Sequence, residues 1–582
     1  MDTELNGFWL PKGIRDTILT PETEYVRLSF ARGRQCLESE AGAVTARWPK
    51  LEPHQWLQLL EQLRANRQAA PHGVDYWNRL QFALQAAGRR FNDPSDRLAK
   101  LAFKALPNYT GYSEAMIGFT LNALELMALG DFPSAFRISP RRQAGWQIMD
   151  GLPGRLQFYE SSPFLGRLKQ LLGRRHLDNL FGPAELPEMI AGFGAGNVPG
   201  TALMIGFLAL STTLAGGHPP VVVVKNSRRE PIFTPLVLEA LEDADPELAS
   251  SLAVLVWDYG ESEVQSLLLA EAGLVVAAAS DETIAQIRSQ VQFARLRKAA
   301  ASANERRPPQ ALRFHAHGHK FSFAAISRSM MDRKLVEPDN GRPLLEVVAL
   351  LAGLDSIFWD QYGCLSARVH FVEEGSPEGY AVIDYAKFLE MQLRLLATFL
   401  PRGASPRQRI MDSFDRYKLL ETTGQVQVLS RYDDEFLVVF DRRHLENNRF
   451  YSLLNDCLGR VIFVRPVADL MEIPERYLRL LPAANLQSLS VAVGAPEQGL
   501  PEHFLDFAAA CGACGVTAFR SAGRGAFPQL AYSWDGLIPL DLARSRPPGH
   551  FTTIEFNHPY EELLETYRML MRRAQRHFSP AG

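Results

Sequence analysis

The chain has 582 residues, of which 46% are hydrophobic and 22% are charged. This composition is that of a globular protein, and the length predicts more than one domain. Because 62 basic side chains nearly balance 65 acidic ones, a nucleic-acid partner is not expected.

Nothing in the sequence predicts a targeting or membrane segment. The N-terminus carries early acidic residues and no continuous apolar stretch, so it does not resemble a secretory signal. The most apolar run, at 201–215, is shorter than the roughly 20 residues of a membrane span and predicts a buried helix. The five cysteines form no even framework, so we expect a reducing, cytoplasmic setting.

The apolar pattern changes along the chain. From about 53 to 130, apolar residues recur at spacings of three and four, which is typical of amphipathic helices. From Met189 onward, short apolar strands alternate with helices, and Thr234 is the expected N-cap of one of these helices. Such strands, buried on both faces, belong to a parallel sheet covered by helices.

A second series of strands and helices begins after Lys320, and the chain ends in an amphipathic helix. We therefore predict an α/β fold with a Rossmann-like cofactor domain, an α/β catalytic domain and a helical N-terminal region. The predicted divisions are a leader at 1–60, a helical segment with the cofactor domain at 61–325, and the catalytic domain at 326–480. A C-terminal segment at 481–582 is predicted to return to the cofactor domain and to end in an assembly helix.

Cys364 is the first candidate for chemistry. It lies just after a predicted helix and just before an apolar strand, and Gly363 leaves room beside it for a substrate. A thiolate there can attack an acyl group and hold it as a thioester. A lone cysteine is more commonly a small buried hydrophobic residue, so the spacing alone leaves both interpretations open.

Polar features follow the first predicted strands. A glycine-rich turn spans Gly192 to Gly200, and its Asn197 amide can donate to an oxyanion or simply form the turn. Lys225 ends the next strand and precedes Arg228. Arginine here suits a nucleotide 2′-phosphate, or the segment is a solvated charge run.

His315, His317 and His319 alternate, which puts them on one face of an extended segment. The sequence offers no further Cys or His ligands at zinc spacing, so no metal is expected. A histidine near a thiol can assist proton transfer, although a polar loop with incidental histidines is the simpler interpretation. Cys511 and Cys514 have redox spacing but follow an alanine-rich helix, so packing at the helix end is expected.

Taken in order, these motifs resemble those of the LuxC-type acyl-CoA reductases, the fatty acid reductases of bacterial luminescence. These form a branch of the aldehyde dehydrogenase superfamily, so the resemblance implies an aldehyde dehydrogenase-like fold. It is clearest from Gly192 to Val372 and weaker from there to about 545, where Tyr532–Gly536 resembles the reductases' C-terminal region.

The resemblance implies roles for individual residues. Asp360 to Cys364 resembles the family's Asp-Gln-x-x-Cys segment, which implies that Cys364 is the catalytic nucleophile. The turn containing Gly196 and Asn197 is similar to the superfamily's Asn-aromatic-Pro turn, which implies a cofactor contact at Gly196 and an oxyanion-hole role for Asn197.

The strand end at Lys225 and Ser227 is similar to the superfamily's Lys-Pro-Ser-Glu segment, whose lysine contacts the adenosine ribose. Arg228 occupies the place of the glutamate that favours NAD, which implies NADPH. Ser280 is similar to the serine of a turn near the pyrophosphate, which implies another cofactor contact.

One departure from the superfamily bears on the reaction. Hydrolytic aldehyde dehydrogenases carry a Glu-Leu-Gly-Gly-Lys segment whose glutamate activates water. The corresponding place here, 315–320, has no glutamate, which implies slow hydrolysis of an enzyme thioester. His317 is the candidate acid–base residue.

The resemblance therefore implies NADPH-dependent reduction of a long-chain acyl-CoA or acyl-protein thioester to the fatty aldehyde, through an acyl group on Cys364. It also implies an acyl-activating synthetase or acyl carrier as partner, and a homo-oligomer. Two alternatives stay open: an NAD(P)-dependent dehydrogenase that oxidises aldehydes, and a non-catalytic scaffold subunit of an acyl-reductase complex.

Overall fold

In the computed structural model, the chain forms two compact units, each built from separate segments. Unit 1 consists of Met1–Arg137, Ser162–His319 and Gln529–Pro548, and unit 2 consists of Ile138–Ser161, Lys320–Pro528 and Gly549–Gly582. The structure describes residues 3–124, 141–143, 146–148, 155–158, 186–210, 212–213, 217–258, 262–301, 312–445, 447–496, 499–526, 534–536 and 551–578.

Unit 1 begins with a four-stranded sheet of order β1-β4-β2-β3, formed by β1 (Thr3–Asn6), β2 (Tyr25–Ala31), β3 (Arg34–Cys36) and β4 (Val44–Pro49). Its helices in this part are α1 (Lys12–Ile18), α2 (Pro53–Ala69), α3 (Gly73–Asn92), α4 (Arg97–Thr110) and α5 (Glu114–Asn122). The helical stretch predicted from about residue 53 is thus confirmed over the described residues. Three short strands of unit 2 follow along the chain, β5 (Arg141–Gln143), β6 (Trp146–Ile148) and β7 (Arg155–Phe158).

The centre of unit 1 is a parallel sheet of five strands, β8 (Met189–Phe193), β9 (Val221–Lys225), β10 (Leu252–Leu255), β11 (Leu274–Ala278) and β12 (Arg313–His317). The helices that alternate with them are α6 (Thr201–Leu210), α7 (Phe233–Ala244), α8 (Ser262–Glu271) and α9 (Asp281–Ala301). Strands β8, β9 and β10 are buried throughout, which explains their continuous apolar runs. The predicted strand–helix alternation is confirmed.

The strand order is β10-β9-β8-β11-β12. The chain therefore changes direction across the sheet between β8 and β11, and ligands of such sheets bind outside the carboxyl ends of the strands at this switch point. The apolar helix α6 is buried, as the sequence predicted. No helix within the described ranges is long and apolar enough to cross a membrane.

The N-cap prediction for Thr234 was wrong. Helix α7 begins at Phe233, so Thr234 lies within its first turn and is buried there. The Glu230 carboxylate instead accepts the Phe233 N–H at 2.7 Å. The Glu230 side chain, three residues before the helix start, thus takes the place of the expected threonine hydroxyl.

Unit 2 is built on an eleven-stranded sheet of order β15-β16-β17-β14-β13-β18-β19-β20-β7-β6-β5. Its further strands are β13 (Phe321–Ile326), β14 (Ala367–Glu373), β15 (Val426–Val428), β16 (Leu437–Asp441), β17 (Val461–Val467), β18 (Leu486–Ala492), β19 (Ala518–Ser521) and β20 (Phe551–Ile554). The pairs from β16 to β20 are parallel, and the pairs at both ends are antiparallel.

The helices of unit 2 are α10 (Leu344–Ile357), α11 (Val382–Phe399), α12 (Gln408–Leu420), α13 (Asn447–Asp456), α14 (Glu502–Cys514) and α15 (Pro559–Phe578). Aromatic rings fill much of the core: the Phe371 ring lies 5.8 Å from that of Phe323 and 4.8 Å from that of Tyr477. Cys511 belongs to this core, and Cys514 packs against it in the last turn of α14. The predicted packing role at the helix end is confirmed.

Candidate active site

The candidate site residues of unit 1 gather at one edge of its parallel sheet. Asn197 follows β8, Lys225 ends β9, Ser280 follows β11, and His317 ends β12. Because all five strands run in the same direction, their carboxyl ends lie along the same edge. The structure therefore places these residues on both sides of the switch point between β8 and β11.

The loops after β8 and β9 pack tightly against each other. A Cβ atom added at Gly196 would lie 2.7 Å from the Ser227 Cβ and 3.0 Å from the Arg229 Cβ. A side chain at 196 is therefore excluded, which explains the glycine. The Ser227 hydroxyl accepts the Arg229 N–H at 3.2 Å, so it also stabilises the turn in which it lies.

Two tyrosines from the N-terminal helical region hold these loops. The Tyr112 hydroxyl donates to the Asn197 carbonyl at 2.5 Å, and the Tyr109 hydroxyl donates to the Arg228 carbonyl at 2.9 Å. The Asn197 residue is exposed. Its backbone is thus fixed while the residue stays accessible, as an oxyanion-hole donor requires.

The two cations after β9 differ in their surroundings. Lys225 is buried, and its Nζ lies 5.5 Å from the centre of the Trp257 ring. Arg228 is partly exposed and forms an ion pair with Asp258, which follows β10. Arg229 is exposed. A simple solvated charge run does not describe this segment, because a buried lysine is costly unless its charge has a partner or a function.

Ser280 is the N-cap of α9. Its hydroxyl accepts the Thr283 N–H at 3.3 Å, and its carbonyl accepts the Ile284 N–H at 2.8 Å. The residue is exposed at the carboxyl end of β11. This position suits the predicted contact with a pyrophosphate, since backbone N–H groups at a helix start attract anions.

Glu230 is a residue of this site that the sequence did not single out. Its side chain is buried and accepts the N–H groups of Phe233 and Gly200, at 2.7 and 3.3 Å. Burial raises the pKa of Glu230 to about 8. A carboxyl held neutral at pH 7 ties the two loops together without a negative charge beside the edge where an anionic cofactor is expected. The sequence did not indicate that Glu230 links the two loops, because it appears there as one more charged residue of the segment 225–230.

The raised pKa of Glu230 makes stability depend on pH. Its contribution is fully present below the ordinary pKa of 4.5 and is lost as the pH rises through the folded value of about 8. Between these values the loss is at most about 1.4 kcal/mol per pH unit. Glu230→Gln cannot ionise, so its unfolding free energy is expected to rise relative to the unsubstituted protein between pH 5 and pH 9, measured by urea unfolding. A constant difference across this range would contradict a buried neutral carboxyl.

His315 and His317 lie on one face of β12, as predicted, whereas His319 lies in a bend beyond the end of the strand. The rings of His315 and His317 are 4.4 Å apart at 87°. The His317 Nδ1 lies 2.5 Å from a carboxylate oxygen of Asp535, a residue whose role the sequence did not indicate. Among the residues that the structure describes, no three or more His, Cys, Asp or Glu side chains are arranged to hold a metal ion.

Cys364 belongs to unit 2 and is exposed. It follows α10 and a short helical turn, Phe358–Gln361, and precedes β14. The turn is unusual, because Trp359, Asp360 and Gln361 have φ angles of 53°, 49° and 64°. Left-handed backbone costs about 1–2 kcal/mol per L-residue, so three such residues in succession require strong support from their surroundings.

That support comes from the side chains of the turn itself. The buried Asp360 carboxylate accepts from the Arg460 guanidinium at 2.8 Å and from the Gly403 N–H at 2.9 Å. The Gln361 amide accepts the Val461 N–H at 2.9 Å and donates to the Ala367 carbonyl at 3.3 Å. The Asp and Gln of the nucleophile segment thus fix the backbone ahead of the cysteine.

The far side of Cys364 is also held. The Ser322 hydroxyl, on β13, donates to the Cys364 carbonyl at 2.8 Å. Arg368, four residues after the cysteine, is buried with its guanidinium 4.6 Å from the centre of the Phe321 ring. Burial lowers the pKa of Arg368, and the nearby thiols of Cys457 and Cys364 oppose that shift. The Arg368 guanidinium therefore interacts with both thiols.

A buried carboxyl anchors the helix that leads to this turn. Asp355, on α10, accepts hydrogen bonds from the Gly523 N–H at 2.7 Å and from the Ser490 hydroxyl. Burial raises the pKa of Asp355 to about 6. The sequence did not single out Asp355, Arg368 or Arg460, because each appears there as an isolated polar residue in an apolar segment.

A Rossmann-like sheet with a switch point, joined to a second α/β unit that presents a cysteine before a buried strand, is the aldehyde dehydrogenase fold. Aldehyde dehydrogenase 21 from Physcomitrella patens, solved with the reaction product succinate, has a TM-score of 0.52 at 10% identity, over 97% of each chain. The 1-pyrroline-5-carboxylate dehydrogenase from Thermus, solved with NAD, has a TM-score of 0.50 at 11% identity, over 95% of this chain and 92% of that one.

Within this class, the sequence identifies the family. The family model described as acyl-CoA reductase (LuxC) matches residues 186–545, more than half of the chain. The chain therefore belongs to the LuxC acyl-CoA reductases, and it is an aldehyde-forming oxidoreductase by family and fold. No curated protein matched it significantly.

Proposed function

We propose that this protein reduces a long-chain acyl thioester to the fatty aldehyde with NADPH, through an acyl group held on Cys364. The observation that carries the proposal is the exposed Cys364, which lies between β14 and the turn Trp359–Gln361, whose backbone is held by buried hydrogen bonds. Rigid support of this kind is what a nucleophile needs to meet a carbonyl in one orientation.

In the proposed reaction, the Cys364 thiolate attacks the acyl carbonyl and the donor thiol leaves. The Asn197 amide and a backbone N–H near Cys364 stabilise the oxyanion. Reduction of the enzyme thioester gives a hemithioacetal, which collapses to the aldehyde and regenerates the thiol. His317 is proposed as the acid–base group. The lack of a glutamate at 315–320 keeps water from competing for the thioester.

The edge of the unit 1 sheet fits a dinucleotide. Gly196, which has no room for a Cβ beside Ser227, lets the loops after β8 and β9 pack together at this edge, and Lys225 and Ser280 lie on either side of the switch point. We propose that these residues, with Arg228, hold NADPH, which when bound supplies the hydride. Because the Glu230 carboxyl is neutral, it does not repel the phosphates of NADPH.

Arg228 is proposed to select NADPH over NADH by binding the 2′-phosphate in place of Asp258. Losing one charge-assisted hydrogen bond costs about 1.5–3 kcal/mol, so Arg228→Gln is expected to raise the KM for NADPH about 10- to 100-fold and leave that for NADH nearly unchanged. Asp258→Asn, which frees Arg228, is the matched control and is expected to favour NADPH further. Equal changes for the two cofactors would exclude this role.

We also propose that the acyl donor is CoA or a thioester carried by a synthetase or acyl carrier, and that the chain works as a homo-oligomer. The overall reaction is tested by supplying long-chain acyl-CoA and NADPH and measuring the products. Fatty aldehyde equal to the NADPH consumed, with little free acid, is expected. Acid formation from aldehyde and NADP, without the reverse reaction, would favour the dehydrogenase alternative. Absence of both reactions would favour the scaffold.

A further inference from the structure

The imidazole of His317 is held against a carboxylate at the sheet edge of unit 1. The His317 Nδ1 lies 2.5 Å from the Asp535 Oδ2, and their side chains are 12% and 5% exposed. The opposite ring nitrogen, Nε2, is buried and has no hydrogen-bond partner among the residues that the structure describes. A buried polar atom without a partner is unfavourable, so its retention calls for an explanation.

The backbone around Asp535 is shaped for this contact. Asp535 and Gly536 have φ angles of 48° and 85°. Aspartate tolerates left-handed backbone better than most residues, and glycine adopts it freely. This Asp-Gly turn brings a carboxylate to His317 from 218 residues away in the sequence.

A carboxylate can only accept a hydrogen bond, so the proton between the two groups lies on the His317 Nδ1. In the neutral ring, Nε2 then carries the lone pair, and in the charged ring it carries the second proton. We propose that Asp535 is a positioning residue that keeps one proton on the His317 Nδ1. The Nε2 of the charged ring then donates its proton to the departing sulfur of the acyl donor. The inference rests on the proposed function.

The proposed step balances as follows. The bond between the Cys364 sulfur and the acyl carbon forms, and the bond between that carbon and the donor sulfur breaks. The donor sulfur keeps the electron pair and takes the Nε2 proton, which leaves a free thiol and a neutral imidazole. Solvent takes the proton that Cys364 loses on becoming a thiolate and returns a proton to the ring, so no net proton is consumed. Asp535 remains ionised throughout.

Leaving-group dependence tests this step directly. The CoA thiolate is much more basic than 4-nitrothiophenolate, so its departure gains far more from a proton. We would measure the rate of Cys364 acylation, by mass spectrometry of its peptide, with dodecanoyl-CoA and with the S-(4-nitrophenyl) thioester of the same acid. The variants are His317→Gln and Asp535→Asn, and His315→Gln on the same strand is the matched control.

With dodecanoyl-CoA, His317→Gln is expected to slow acylation about 10²- to 10⁴-fold, and Asp535→Asn at least about 10²-fold. With the activated thioester, both variants are expected to stay within about tenfold of the unsubstituted protein. His315→Gln is expected to change the two rates by equal factors. The activated thioester also reports whether each variant is folded.

Equal losses with both thioesters in His317→Gln and Asp535→Asn would overturn the inference and leave the proposed function standing. A normal rate with dodecanoyl-CoA in Asp535→Asn would also overturn it. If the unsubstituted protein is not acylated at Cys364 by either thioester, the proposed function fails, and the inference fails with it.

Discussion

Replacing Cys364 with serine is expected to reduce the rate of aldehyde formation by at least about 10³-fold. A serine hydroxyl is not ionised at neutral pH and is a far weaker nucleophile than a cysteine thiolate. Backbone support from Ser322 and the left-handed turn is unaffected by the exchange, so NADPH binding and unfolding free energy should change little. The measurement is NADPH oxidation with a long-chain acyl-CoA under single-turnover conditions.

Cys36→Ser is the control for this prediction. Cys36 ends β3 in unit 1 and is partly exposed, so it can also react with thiol reagents. Its replacement is expected to leave aldehyde formation unchanged. If Cys364→Ser keeps more than about a tenth of the activity, far above the expectation for a lost nucleophile, then Cys364 is not the acyl carrier.

Replacing Arg460 with methionine is expected to lower the unfolding free energy by about 3–5 kcal/mol, because it leaves the Asp360 carboxylate buried without its ionic partner. The two side chains are 0% and 1% exposed. The same change removes the support of a turn that stores backbone strain, so acylation of Cys364 should slow while NADPH binding persists. Urea unfolding and single-turnover acylation measure the two effects.

Asp360→Asn provides the second arm. It removes the charge but keeps a side chain of nearly the same shape, and Asp360→Asn combined with Arg460→Met leaves no buried charge in the pair. We expect the double variant to be more stable than Arg460→Met alone, since a lone buried charge is the costliest state. A loss below about 1 kcal/mol in Arg460→Met, the range of exposed ion pairs, would contradict this account.

The sequence predicted the features that depend on local pattern. Continuous valine runs such as that of β9 indicated a parallel sheet, and the direction of its strands placed Asn197, Lys225 and Ser280 at one edge. Gly196 was singled out because glycine between a strand and a helix leaves room for a ligand. In the structure, Ser227 of the next loop fills the space beside Gly196, so the glycine is explained by the packing of the two loops.

The features that the sequence did not indicate depend on distant partners. Arg460 pairs with Asp360 from 100 residues away, and Asp535 meets His317 from 218 residues away. No local periodicity reports such contacts. Thr234 is an error of local pattern: its residue type suits a helix cap, but the buried Glu230 carboxylate accepts the N–H at the start of the helix. The pairing of Arg228 with Asp258 also became visible only in the fold.

The most direct test of the central claim is to follow the acyl group on the protein. The protein would be mixed with a labelled long-chain acyl-CoA without NADPH, and the adduct would be located by mass spectrometry of its peptides. NADPH would then be added. We predict one acyl group on Cys364 that disappears on addition of NADPH and appears as labelled fatty aldehyde. An adduct elsewhere, or an adduct on Cys364 that NADPH does not release as aldehyde, would contradict the proposed reduction.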